Sequence, residues 1–317
     1  MLLSTVLTAC PSTDEAGREQ AAAPSTAAAE PHLKVVCTTG MLADAARIIG
    51  GERADVFGMM GPGVDPHLYK ARESDVLQLY DADLVIYNGL HLEARLGSVL
   101  EKMGSSRLVV AATDGIPAER LLAVEDDLPD PHVWFDVELW QLVVERIAAA
   151  YGEADPPRAA EYQGRAADYR VELDELQDYV ESVIGVWIPG GNRILITGHD
   201  AFGYFGRAYG FEVYGLQGIS TAAEAGTADV QALVDLIVER HVAAIFVESS
   251  VPERNIQAVQ EAVRSRGWEV EIGGELFSDA LGDAGTPEGT YLGMVRHNID
   301  TIARGLRHQP GDDAYGE

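Results

Sequence analysis

The chain has 317 residues, 47% of them hydrophobic and 23% charged, which is enough for about two globular domains. Its 51 acidic and 23 basic side chains give a formal net charge of −28. Such a surface repels phosphate backbones, which argues against a nucleic-acid partner. It would also concentrate cations, although an adaptation to solubility or high salt explains the charge equally well.

The N-terminus is predicted to carry a lipid anchor. Cys10 ends the run Leu7-Thr8-Ala9-Cys10, which is similar to a bacterial lipobox, and residues 11–31 have the composition of a flexible tether. The stretch before Cys10 is short and lacks a basic region, so a truncated start or a chance cysteine is the alternative. With no apolar run of about 18 residues, we expect an extracytoplasmic protein held at the membrane surface through lipidated Cys10.

From Lys34 onward, short apolar runs alternate with helical patterns. In chain order, we predict strands at 35–38, 54–60, 84–87, 108–111, 193–197, 212–216, 244–247 and 269–272. We predict helices at 42–49, 73–80, 91–103, 137–150, 201–209, 228–240, 253–265 and 288–305. Residues 158–186 contain no proline and repeat apolar side chains at helical spacing, which predicts one long helix of about 40 Å.

This alternation indicates an α/β fold with two lobes, each a mostly parallel sheet with flanking helices, joined by one long helix. We expect a tether at 1–31, a first lobe at 32–157, the linking helix at 158–188 and a second lobe at 189–317. Lobes joined by one helix should hinge less than lobes joined by strand crossovers.

Four side chains in separate loop motifs are candidate metal ligands. They are His67 and His132, each in an Asp-Pro-His triplet, His199 after the strand at 193–197, and Asp279 after the strand at 269–272. All four fall at strand ends or before helices, two in each half, where open α/β sheets bind ligands. Three imidazoles and a carboxylate can complete a tetrahedral site for a divalent transition metal.

Residues near these four positions are candidates for supporting roles. Glu248 is a candidate to orient a ligand histidine, with a helix cap or a solvated acid as the alternative, and Asp65, Asp130 and Asp136 are weaker candidates. We expect Trp134 and Phe135 to pack in the wall of the site and Cys37 to be a buried thiol. Structural roles are expected for the other histidines: His32 in the tether, His91 opening a helix, His241 closing one, His297 on the last helix, and His308 near the C-terminus.

Common catalytic and nucleotide-binding motifs are missing from the sequence. It has no Gly-x-Gly-x-x-Gly at a strand-to-helix turn, no phosphate-binding loop and no His-Glu-x-x-His. Catalysis and nucleotide binding therefore have no support from motifs.

Between residues 34 and 306 the sequence resembles the cluster A metal-binding proteins of bacterial ABC importers, most closely the TroA-like zinc/manganese group. The most specific stretches are 198–205, 215–221 and 273–279, with 289–291, His297 and Asn298 also similar. The resemblance implies ligands at His67, His132, His199 and Asp279, two α/β lobes, a rigid linking helix, and delivery of metal to a membrane permease with its ATPase subunit.

Two departures from the family pattern bear on the choice of metal. The loop at 114–130 lacks the histidines that many zinc-specific relatives carry there, and His199 stands where many manganese-specific relatives have glutamate. Three imidazoles favour zinc, whereas manganese prefers more oxygen donors and would gain from both oxygens of Asp279.

We therefore predict a monomeric, non-catalytic protein that captures zinc or manganese between its lobes and delivers it to a permease. Its affinity should weaken as the pH falls past about 6.5, because a protonated imidazole cannot bind metal. The alternatives are a zinc-dependent hydrolase, with Glu224 or Glu248 beside a metal-bound water, and a lipid-anchored adhesin stabilised by its metal.

Overall fold

A computed structural model describes residues 1–2, 32–123, 128–188, 190 and 193–307. The predicted lipid anchor at Cys10, the tether at 11–31 and His308 lie outside these residues. The chain divides into the units Met1–Pro31 and His32–Glu317, and the following concerns the second unit alone.

The first lobe contains a parallel four-stranded sheet. Its strands are β1 (Leu33–Cys37), β2 (Ala54–Gly58), β3 (Leu84–Tyr87) and β4 (Leu108–Ala111), in the order β2-β1-β3-β4. The helices are α1 (Gly40–Gly50), α2 (Glu73–Asp81), α3 (Gly97–Gly104) and α4 (Val137–Ala154). In the register, Val36 lies opposite Phe57 and Val85. Strand β3 is almost wholly apolar and buried, as expected for a sheet that is covered on both faces.

A single helix, α5 (Ala159–Trp187), leads out of the first lobe. The short 3-10 turn Pro156–Arg158 precedes it, and the two prolines there favour a helix start. Its 29 residues correspond to about 44 Å. The predicted long helix is therefore present, and it packs against α1 and α4.

The second lobe contains two parallel strand pairs. Strands β5 (Ile194–His199) and β6 (Glu212–Gln217) form one pair, and β7 (Ala244–Glu248) and β8 (Glu271–Leu276) form the other. Strand β5 also contacts β7. The helices are α6 (Gly203–Tyr209), α7 (Thr227–Arg240), α8 (Arg254–Ser265) and α9 (Tyr291–Arg307). The predicted α/β architecture of two lobes and one long helix is confirmed.

Several predicted elements need correction. The helix expected at 91–103 begins only at Gly97, because Leu90 and His91 adopt positive φ angles of 51° and 65°, which no helix accommodates. The strand expected at 269–272 is β8, displaced towards its C-terminal side, with an irregular register against β7. The helix expected from 288 begins at Tyr291, after the 3-10 turn Pro287–Gly289.

The largest apolar cluster belongs to both lobes. It includes Val35 and Trp140 from the first lobe, Leu173 from α5, and Phe246 and Ile302 from the second. Smaller clusters lie within each lobe. The lobes therefore share one continuous core behind the cleft. Across the described residues, no helix combines the length and apolar character needed to cross a membrane.

Candidate metal centre

The four predicted ligand side chains lie together between the two lobes. One ligand atom from each of His67, His132, His199 and Asp279 lies within 4.8 Å of the others, and all four residues are buried. The Nε2 atoms of His67 and His132 are 3.3 Å apart. Asp279 Oδ2 lies 3.3 Å from His199 Nε2, and Asp279 Oδ1 lies 3.5 Å from His132 Nε2.

Each of these side chains comes from a different part of the fold. His67 lies in the loop between β2 and α2, at residues 59–72. His132 directly precedes the 3-10 turn Val133–Phe135 that leads into α4. His199 is the last residue of β5, and Asp279 lies in the loop after β8. The carboxyl ends of parallel strands and the loops after them thus supply the site.

Carboxylates fix the rings of two of the histidines. Asp130 Oδ1 accepts the backbone N–H of His132 at 2.9 Å and lies 2.8 Å from its Nδ1. Glu248 Oε1 accepts the backbone N–H of His199 at 2.8 Å, and Oε2 lies 2.6 Å from its Nδ1. Since a carboxylate only accepts hydrogen bonds, Nδ1 of His132 carries hydrogen. The contact between Glu248 and Nδ1 of His199 is a close ion pair without good hydrogen-bond geometry. In both histidines Nε2 lies towards Asp279 and can bind an ion once it has lost its proton.

The other two carboxylates considered from the sequence have different contacts. Asp65 Oδ1 accepts the backbone N–H of His67 at 2.8 Å, so it fixes the backbone of the loop and not the orientation of the imidazole ring. Asp136 accepts the N–H of Leu139 as the N-cap of α4 and pairs with Arg207 at 3.2 Å. The suggestion that Asp136 orients a ligand histidine is therefore wrong, because its carboxylate is used in capping and pairing.

The charges of the site are strongly coupled. Burial lowers the pKa of His67 to about 4. Burial also lowers the pKa of His132, but the carboxylates of Asp130 and Asp279 outweigh it and raise the value to about 9. Glu248 and Asp279 likewise outweigh burial and raise the pKa of His199 well above its ordinary value. Although burial opposes it, His199 and His132 hold the pKa of Asp279 well below its usual range.

The donor set and its spacing fit a divalent cation. Four donors at zinc-like bond lengths in a tetrahedron lie about 3.3 Å from one another. The atom pairs given above match this spacing, and His67 Nε2 lies 3.9 Å from Asp279 Oδ2. Among the described residues, neither oxygen of Asp279 meets a hydrogen-bond donor in good geometry, although both are buried. A cation would satisfy these oxygens, whose burial is otherwise costly.

Aromatic residues tie the His132 loop to the second lobe. Trp134 Nε1 donates to the carbonyl of Ser278, next to Asp279, at 2.9 Å. Tyr204 donates to the carbonyl of Asp130 at 2.9 Å, and Tyr291 donates to the carbonyl of Trp134 at 2.8 Å. Trp134 and Phe135 are buried as predicted, and Trp134 packs edge-on against His132. The roles of Tyr204 and Tyr291 were missed, because nothing in their sequence context marks these contacts.

A glycine makes the close packing behind His199 possible. Gly215 lies in β6, beside the end of β5. A Cβ atom at this position would lie 2.3 Å from the amide nitrogen of Asp200 and 2.5 Å from the carbonyl carbon of His199. Glycine is therefore required where the backbone turns away from the ligand.

The remaining described histidines have other surroundings. His32 lies 3.5 Å from Asp55 at the surface, and His241 caps the C-terminus of α7 against Trp268. His297 lies 3.0 Å from the carbonyl of Glu275. His91 is an exposed turn residue. Cys37 is buried and free, and burial raises its pKa to about 12.

Comparison with known proteins identifies the family of the chain. Residues 35–305 match the family model for the periplasmic zinc-uptake complex component A, ZnuA. The zinc-binding protein TroA of Treponema pallidum is 51% identical over 280 residues, covering 88% of this chain and 91% of TroA. The manganese-binding lipoprotein MntA of Bacillus subtilis is 46% identical over 302 residues, covering 95% of each.

Solved structures show the same fold. The periplasmic zinc-binding protein TroA from Treponema pallidum superposes with a TM-score of 0.85 at 51% identity, covering 87% of this chain and all of that one. A second TroA structure, described in terms of its metal-binding specificity, gives 0.82 at 35% identity. The fold and the match over nearly the whole of the two lobes show that the chain belongs to the ZnuA family of metal-uptake binding proteins.

Proposed function

We propose that the chain is an extracytoplasmic metal-binding protein of an ABC importer, which captures zinc or manganese and delivers it to a membrane permease. The observation that carries this function is the convergence of four buried donor atoms, within 4.8 Å of one another, from both lobes. Relatives that share half or nearly half of the sequence are named as zinc-binding or manganese-binding proteins.

In this proposal His67, His132, His199 and Asp279 are the ligands of the transported ion. The first two belong to the first lobe and the last two to the second, so that the ion bridges the cleft. Asp130 and Glu248 hold the rings of His132 and His199 with Nε2 towards the ion. Capture then requires that the ion displace the protons held on these rings.

The donor set favours zinc. Three imidazole nitrogens and one carboxylate, at spacings close to a tetrahedral edge, suit a four-coordinate ion. Manganese requires more oxygen donors, which this site supplies only if both oxygens of Asp279 bind. We therefore expect tighter binding of zinc and weaker but measurable binding of manganese.

The same geometry supports binding rather than catalysis. A hydrolytic zinc site keeps one position for water and a general base beside it. Four protein donors fill a tetrahedron, and both oxygens of Glu248 contact His199. Glu224, the other candidate base, is exposed. We accordingly infer that the chain has no hydrolytic activity.

The anchor, the partners and the lobe boundaries complete the proposal. We propose that Cys10 is lipidated, since the similar MntA is named a lipoprotein and Cys10 ends a lipobox-like run. The partners would be a permease and its ATPase subunit, with the chain acting as a monomer. The lobes would comprise residues 32–157 and 189–317, joined by the helix region 158–188.

The decisive experiment measures metal content and affinity. The chain is purified without added metal and analysed by mass spectrometry, and zinc and manganese are then competed in solution. His199→Ala should abolish stoichiometric binding, whereas His32→Ala, which removes an exposed histidine outside the cluster, should leave it intact. If the wild-type chain binds neither ion, or if both variants bind equally, the proposal is wrong.

A further inference from the structure

One side-chain hydrogen bond joins the His67 loop to the second lobe. Thr221, in the loop between β6 and α7, donates its hydroxyl to Asp65 Oδ2 at 2.5 Å. The other oxygen of Asp65 accepts the backbone N–H of His67 at 2.8 Å. Asp65 therefore couples the ligand's own backbone to a residue that is 156 positions away in the sequence.

The three other candidate ligands are held much more firmly. His199 and Asp279 both belong to the second lobe, and His132 is tied to that lobe by the contacts of Trp134 and Tyr204 described above. For the His67 loop, residues 59–72, the structure gives no second side-chain hydrogen bond to the far lobe within the described part of the chain. Of the two candidate ligands from the first lobe, His67 is thus the one whose loop has fewer side-chain hydrogen bonds to the second lobe.

We infer that Thr221 is a positioning residue, whose hydroxyl holds the His67 loop closed over the ion and so sets the rate of metal release. The inference rests on the proposed function. For the ion to leave, His67 must move away from His132 and Asp279, and its loop carries Asp65 with it. The bond from Thr221 then has to break. At 2.5 Å, between a hydroxyl and a carboxylate, it belongs to the strong class of hydrogen bonds.

The surroundings of Thr221 fit this role. Its exposed fraction is 8%, so water competes poorly for the hydroxyl when the loop is closed. Asp65 is only half-buried, so water can hydrate its carboxylate once the loop opens. The bond is therefore strong in the closed form and replaceable in the open form, as a reversible closure requires.

The test measures metal release directly. Wild-type protein and variants are loaded with zinc and mixed in a stopped-flow instrument with an excess of a chromogenic zinc chelator. Thr221→Val keeps the side-chain shape but removes the hydroxyl, and it should release zinc about tenfold faster. Thr221→Ser restores the hydroxyl and should restore slow release. Thr227→Val, the same change at an exposed position on α7, is the matched control.

A double-mutant comparison shows whether Thr221 acts through Asp65. Asp65→Ala removes both of its bonds and should accelerate release further than Thr221→Val does. Adding Thr221→Val to Asp65→Ala should then change the rate less than about twofold, since the partner is already gone. Melting curves of the metal-free variants, followed by circular dichroism, verify that each is folded. Thr221→Ala replaces Thr221→Val if the latter does not fold.

The outcomes separate the two claims. If the wild-type chain takes up zinc and Thr221→Val releases it at the wild-type rate, the positioning role is overturned while the proposed function stands. An equal acceleration in Thr227→Val, or a full effect of Thr221→Val on the Asp65→Ala background, would also overturn it. If the wild-type chain takes up no metal, the proposed function fails, and the role of Thr221 fails with it.

Discussion

Glu248 contacts His199 at two points: one carboxylate oxygen accepts the backbone N–H at 2.8 Å, and the other lies 2.6 Å from the ring Nδ1. One side chain therefore holds the backbone of the candidate ligand by a hydrogen bond and its imidazole by an ion pair. Both residues are buried, at the ends of β5 and β7, which contact each other, so the packing of these two strands sets the contact.

Loss of the Glu248 carboxylate should weaken metal binding. Glu248→Gln keeps the shape but removes the charge that orients and polarises His199, so we expect about 10-fold to 100-fold lower zinc affinity. Competition against a chelator of known affinity measures this change. Glu253→Gln, at an exposed position before α8, serves as the control. An unchanged affinity in Glu248→Gln would show that the contact has no part in binding.

Metal binding should release protons at neutral pH. In the metal-free site the pKa of His132 is about 9 and that of His199 is raised well above its ordinary value, so both rings are protonated at pH 7. The ion must displace these protons, so affinity should rise with pH at least until His132 has lost its proton, around its pKa of about 9. His67, with a pKa of about 4, contributes no such dependence above pH 5. The loss of metal affinity on acidification should therefore begin at a higher pH than the value of about 6.5 expected from unperturbed histidines.

Calorimetry in buffers of different ionisation enthalpy counts these protons. We expect about two protons released per zinc at pH 7, one from each raised histidine. The count should fall as the pH approaches 9, where His132 is already half-neutral. Binding without proton release at pH 7 would contradict the charge state assigned to the site.

Substitution of Gly215 should displace the backbone of the neighbouring candidate ligand His199. A Cβ atom there would overlap the backbone of His199 and Asp200, so Gly215→Ala must displace the end of β5. We expect a loss of about 1–3 kcal/mol in the free energy of unfolding, together with weaker metal binding. Thermal melting and zinc titration measure the two effects. At Gly218, within the following loop, an added Cβ meets nothing within 4 Å, so Gly218→Ala should leave the stability of the chain almost unchanged.

The chain should stay folded when its metal is removed. Its apolar clusters are built from side chains alone, and the main one extends through both lobes. Chelation should leave the circular dichroism spectrum unchanged, and added zinc should raise the melting temperature. At a concentration about 1000 times the dissociation constant, the stabilisation is about 4 kcal/mol. Unfolding on chelation would instead favour a purely structural metal.

Periodicity and loop motifs predicted most of the fold and pointed to the four side chains that converge in the candidate centre. Strand β3 was placed at its observed bounds because apolar runs between breaks are clear signals. The helix expected from His91 was wrong. Glu93 is buried and accepts the amide hydrogens of Asn88 and Gly89, which favours a turn there. It also accepts the hydroxyl hydrogen of Thr38, 55 positions away, and no local pattern reveals that contact.

Contacts across the cleft could not be predicted for the same reason. Thr221 and Asp65 are far apart in the sequence, and each looks like an ordinary polar loop residue. Trp134 was expected in the wall of the site, but its bond to the carbonyl of Ser278 depends on how the lobes meet. Pairings of this kind follow from tertiary packing, which a single sequence does not encode in any local pattern.

Helix α9 packs against β8 and α5, and its first residue, Tyr291, also contacts the first lobe. The backbone N–H of Tyr291 donates to Asp44 in α1, and its hydroxyl donates to the carbonyl of Trp134. Its ring is buried and stacks on Trp140. A large rotation of one lobe against the other would therefore expose the apolar core that they share. We therefore expect metal-loaded and metal-free molecules to have nearly the same hydrodynamic radius. A receptor would then have to recognise the loaded form by the loops around the metal centre, such as the His67 loop.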